Sequence, residues 1–78
     1  KHVSFNDKGI ELLKKNQFIE AKYLFERALQ YKSDFIDATY NLGLVQHKLG
    51  ELDHAVRLYK RVVALDASYA LESKNRVL

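Results

Sequence analysis

Three histidines, His2, His47 and His54, are the only imidazoles in this chain, and it contains neither cysteine nor methionine. A metalloprotease needs two histidines one helical turn apart with a glutamate between them, and a phosphate cradle needs clustered glycines ahead of a lysine. Neither pattern occurs. His47 and His54 stand on opposite sides of Gly50, so a zinc ion shared between them would require a further ligand such as Asp53. Two solvated polar side chains are the simpler reading. Serine, aspartate and histidine are all present, but nothing spaces them as a triad. The reactive residues thus point away from an enzyme, a metal site or a cofactor, and toward binding.

A chain of 78 residues allows one domain at most, and so short a chain has difficulty burying enough apolar surface to offset its conformational entropy. The absence of cysteine removes disulfides and most structural metals, which leaves a partner as the remaining support. Apolar residues make up 47% and charged residues 29%, a globular composition. No apolar run approaches the roughly 18 residues of a membrane span, so a soluble protein without membrane insertion is expected. The compartment stays open, with the cytoplasm slightly favoured. The start at Lys1 and the lack of methionine lead one to expect a piece of a longer protein.

The net charge of +3 comes from 13 basic and 10 acidic residues whose signs alternate along the chain, the pattern of solvated helical faces. Lys14-Lys15 and Lys60-Arg61 are too short to form a nucleic-acid stripe, and weak RNA binding ranks last among the functions considered.

What positions these residues is a repeat. Shifting the chain by 34 residues brings Gly9 onto Gly43, Lys14 onto Lys48, Ala21 onto Ala55, Leu24 onto Leu58 and Arg27 onto Arg61. Size class is preserved at Ile10/Leu44, Phe18/Leu52, Phe25/Tyr59, Ala28/Val62 and Leu29/Val63. A fixed period of this length marks a solenoid array. Within each period the apolar spacing reads as two helices. The expected helices run from about 3 to 15 and 35 to 49, each followed after a short turn by a second beginning at Phe18 or Leu52. Asn16-Gln17 and Gly50-Glu51 supply the turns, Ser33 or Asp34 a cap for the third helix, and Ser68 a cap for a fifth.

Gly43 lies inside a helix, where glycine costs roughly 1 kcal/mol against alanine. The spacing predicts that its bare backbone admits the ring of Tyr59, with Gly9 and Phe25 repeating the arrangement.

With "YNLG" at 40–43, "KLGELDHA" at 48–55, "YKRV" at 59–62 and "LD" at 65–66, the second unit resembles the tetratricopeptide repeat, a 34-residue helix-turn-helix motif. The first unit is looser: Lys8 stands in a leucine place, and Asn16 replaces the turn glycine. The closing proline is absent, with Ser33 and Ala67 in its place. The resemblance implies an all-α superhelix of antiparallel hairpins with about five helices, divided as repeat 1 at 2–35, repeat 2 at 36–69 and a partial capping helix at 70–78. It also implies a protein-interaction scaffold in which the first helix of each unit lines a concave face.

By helical spacing that face carries Val3, Asn6, Ile10, Leu13 and Lys14 from the first unit, Asp37, Tyr40, Leu44, His47 and Lys48 from the second, and Leu71 and Lys74 from the final helix. Ile10, Leu13, Tyr40 and Leu44 are expected to be apolar anchors left uncovered by their own hairpins. Asn41 is expected to hold a ligand's backbone amide, and Lys14 and Lys48 to meet acidic flanks. Some members of the family clamp the acidic tails of chaperones. Here Asn41 matches that clamp, but Asn6, Ile10, Leu71 and Asn75 do not, which rejects such a tail as ligand. A protein or peptide partner, such as an amphipathic helix, and a homo-oligomer remain as expectations.

Overall fold

The computed structural model describes residues 1–69. The expected capping helix at 70–78, with Leu71, Lys74 and Asn75, lies outside the described residues. Four helices follow one another: α1 (His2–Lys14), α2 (Phe18–Tyr31), α3 (Ile36–Lys48) and α4 (Leu52–Leu65), and a further helical turn opens at 67–69. Helices α1 and α2 form one antiparallel hairpin and α3 and α4 the next; α2 packs on α3, and α1 touches α3. The fold is all-α, two hairpins stacked in the same phase. No described helix is long and apolar enough to cross a membrane.

The two intra-repeat turns have the same construction. Asn16 has φ 62° and its repeat mate Gly50 has φ 82°, both in the left-handed region. The amide of Asn16 donates to the Leu13 carbonyl and that of Gln17 to the Leu12 carbonyl; Gly50 to His47 and Glu51 to Gln46 repeat this pair of bonds. This geometry satisfies the last carbonyls of a helix and requires one residue that tolerates positive φ, a role open to asparagine and easiest for glycine.

The helix starts differ from expectation. Neither Ser33 nor Asp34 caps α3; Phe35 occupies the cap position with no side-chain bond, while residues 33 and 34 form the turn before it. The turn at 67–69 is capped by Asp66, not by Ser68: Asp66 Oδ1 accepts from the Ser68 amide at 3.0 Å and from its hydroxyl at 2.7 Å. These bonds, the hydroxyl's foremost, lower the Asp66 pKa below its ordinary value.

The core centres on Ala21 and Phe25 of α2 and Leu42 and Val45 of α3, the seam between the repeats. Gly9 and Gly43 set the separation within each hairpin. A Cβ at Gly9 would stand 2.5 Å from the Phe25 ring, and one at Gly43 would stand 2.9 Å from the Tyr59 ring. Both rings therefore lie against bare backbone, as the spacing predicts. A bidentate ion pair adds to the seam: Lys22 Nζ reaches Glu51 at 2.8 and 3.0 Å, tying α2 to the start of α4.

Candidate protein-binding surface

The stacking sets α1 and α3 side by side, and one polar contact spans them. Asn41 Nδ2 donates to Asn6 Oδ1 at 3.1 Å, and Asn6 is buried. Burying an amide costs free energy unless its hydrogen bonds are made, so this pair fixes the relative position of the two helices. Asn41 Oδ1 accepts no bond from a described residue.

Around this pair the expected anchors are all half-buried. Ile10 and Leu13 pack against the core cluster. They present an edge to solvent while most of each side chain completes the seam between repeats. Tyr40 lies with its ring centroid 5.9 Å from that of Tyr59 and 5.9 Å from that of Tyr69. The Tyr69 hydroxyl donates to Asp37 Oδ1. Burial, with Tyr40 as a second cause, raises the Tyr59 pKa above its ordinary value. Leu44 is half-buried, and Lys14, His47 and Lys48 are exposed, with Lys48 Nζ 5.9 Å from the Phe18 ring centroid. Ile10, Leu13, Tyr40 and Leu44 therefore form a shallow surface of apolar edges around Asn41, with the exposed Lys14 and Lys48 at the end where α1 and α3 terminate.

Sequence reasoning missed two features. Gln46 is buried, and its Oε1 has no hydrogen-bond partner among the described residues. Its repeat mate is Leu12, so the 34-residue comparison carried the signal: a polar residue in a core position. The second is where the apolar surface is most open. Val3 of α1 is exposed, but most of the large apolar side chains that face water, Ile19, Tyr23, Tyr31, Leu52, Val56, Val63 and Leu65, belong to α2 and α4. Of the apolar residues of α4, Ala55 and Val62 are buried, but Leu52, Val56 and Val63 are exposed. Among the described residues no three of His, Cys, Asp and Glu gather closely enough to hold a metal ion.

Two helical hairpins related by a fixed 34-residue step, closed by ring-on-glycine contacts and presenting a continuous side-chain surface, define a helical-repeat scaffold. The chain belongs to the tetratricopeptide repeat family, whose family model matches residues 12–73. No curated protein matches it. Repeats of this family mediate protein–protein interaction and scaffolding, and the family is typically non-catalytic.

Proposed function

We propose that this chain is a protein-binding module whose α1/α3 surface takes an apolar peptide or an amphipathic helix, acting by binding and not by catalysis. The observation that carries the reading is the Asn6–Asn41 bond. It holds a polar amide at the centre of an otherwise apolar surface, with one carbonyl oxygen open. A ligand backbone N–H can donate to that oxygen while apolar ligand side chains cover the edges of Ile10, Leu13, Tyr40 and Leu44. Lys14 and Lys48, 34 residues apart in the chain, carry exposed ammonium groups toward acidic flanks of the ligand.

The test is amide chemical-shift mapping with a peptide selected on this chain from a displayed random library. Perturbations centred on Asn6, Ile10, Asn41 and Leu44 are expected, with binding lost in the Tyr40→Asp, Leu44→Asp double variant while its far-ultraviolet helix signal persists. Perturbations confined to α2 and α4 would overturn this placement.

A further inference from the structure

We infer that the α1/α3 surface is polarised and takes an amphipathic helix of a partner protein in one direction only. That helix runs antiparallel to α1 and α3, with an acidic first turn and a basic last turn. Resting on the reading of this face as the binding surface, the charge pattern adds the order of charges along the ligand. The face is not one that a neighbouring repeat covers. Ile10 and Leu13 keep solvent-facing edges with the second repeat stacked beyond them, and Tyr40 and Leu44 keep theirs with the first repeat stacked before them. A further repeat at either end of such an array would leave these edges open in the same way.

Its charges divide by sign along the helix axes. Asp37 stands in the first turn of α3, and Asp7, which holds the Asn41 place on α1, is exposed in the second turn of that helix. Lys14 ends α1, and His47 and Lys48 end α3. None of Asp7, Asp37, Lys14 and Lys48 has an ion-pair partner among the described residues. Asp37 accepts from the Tyr69 hydroxyl, which holds its carboxylate beside the Tyr40 ring. Other charges near the two ends are engaged away from this face: Glu51 pairs with Lys22, Lys32 with Asp34, and Lys1 lies over the Tyr31 ring. Opposite charges at the ends of α3 suit that helix's own dipole, but the dipole's pull fades within the first turn and does not account for Asp7. Asp37 and Lys48 are eleven residues apart, which at 1.5 Å per residue is about 16 Å, or three turns of an incoming helix. A helix with its amino end over Lys14 and Lys48 opposes the dipoles of α1 and α3. Acidic residues in its first turn suit both its own dipole and the two ammonium groups, and basic residues in its last turn meet Asp37 and Asp7. The reverse orientation sets like charges together at both ends.

The probes are two labelled synthetic peptides of identical composition and apolar stripe, each held helical by a hydrocarbon staple on its outer face. One carries glutamates in its first turn and lysines in its last; the other exchanges them. By fluorescence anisotropy at low salt, the glutamate-first probe should bind about tenfold more tightly. Asp37→Asn, which keeps an acceptor for the Tyr69 hydroxyl, and Lys48→Gln should each reduce that ratio about threefold. The Lys14→Glu, Asp37→Lys, Lys48→Glu chain should prefer the lysine-first probe, and circular dichroism checks that every variant keeps the parent's helix signal. Equal affinity for the two probes, or a preference that the charge-reversed chain retains, would overturn the inference; amide shifts still centred on Asn41 and Leu44 would then leave the binding surface standing. Failure of both probes to bind, or shifts confined to α2 and α4, would bring down the surface as well. Tighter binding by an unstapled probe that stays extended would overturn the inference by making the occupant an extended segment. Light scattering in which the parent's mass doubles with concentration and the charge-reversed chain's does not would do the same, since the occupant would be a second copy.

Discussion

In the first repeat a phenylalanine with no exposed surface lies against Gly9; in the second a half-buried tyrosine lies against Gly43. The backbone geometry is shared, yet the surroundings are not. Phe25 is enclosed because α3 of the following repeat covers α2 from the other side. Tyr59 has no such described cover, and its ring borders an open groove. The difference teaches that in this array a residue's burial is set by the next repeat as much as by its own hairpin, so two sites with the same local pattern differ in rigidity and in availability to a partner. The two outer edges differ in the same sense, α1 presenting Lys8 and Glu11 where α4 presents Leu52 and Val56.

Alanine at the two glycines gives the largest separation between the repeats. Either change gains about 1 kcal/mol of helix propensity. At Gly9 the new Cβ meets a ring edge at 2.5 Å that is walled in by the core, and overpacking of this kind costs about 1–3 kcal/mol. At Gly43 the contact is 2.9 Å, and the half-exposed Tyr59 ring has room to tilt outward. Gly9→Ala should therefore destabilise the chain by up to about 2 kcal/mol and Gly43→Ala should be near neutral. Urea unfolding of the two variants checks the ordering. Equal losses would mean that Tyr59 is held as firmly as Phe25, and the contrast between covered and open repeats would fail.

A smaller effect is expected at Gln46. The first repeat places Leu12 in this position, packed against the core, while the second buries an amide oxygen with no described partner. A buried unsatisfied acceptor costs about 1–3 kcal/mol, part of which leucine recovers by filling the same volume with apolar atoms. Gln46→Leu should raise stability by about 1 kcal/mol, read as a higher urea midpoint with an unchanged slope. A loss of stability would show that the amide makes a bond the repeat comparison does not reveal.

The glycine–ring pairs were legible because they depend on one interval, sixteen residues from glycine to ring, that recurs in both units. The turns at Asn16 and Gly50 were legible for a like reason, since few residues adopt positive φ. The caps were less so: Ser33, Asp34, Asp66 and Ser68 are all good capping residues, and only the backbone path decides that Asp66 caps while Ser33 and Asp34 do not. For the α1/α3 face the sequence carries no degree of exposure. Helical spacing tells which residues share a face, whereas the burial of Ile10 and Leu13 depends on how closely the neighbouring repeat sits. Lys22–Glu51 joins residues 29 apart, and no local pattern announces it. For the same reason the open face of α4 reads in sequence as an ordinary core stripe.

The smallest expected effect concerns proton binding at the two rings. Phe25 cannot ionise, but Tyr59 can, and burial together with the neighbouring Tyr40 raises its pKa above the ordinary 10.0. In this situation the folded chain holds the phenolic proton more tightly than the unfolded chain. The stabilisation is complete below about pH 10, and it is lost as pH rises through the raised folded value, because the unfolded state then releases its proton first. Stability measured by urea unfolding should therefore fall above pH 10 more steeply in the parent than in Tyr59→Phe, whose second repeat carries the same kind of ring as the first. Since Tyr59 is half-exposed, solvent screens the effect and the two curves should differ modestly.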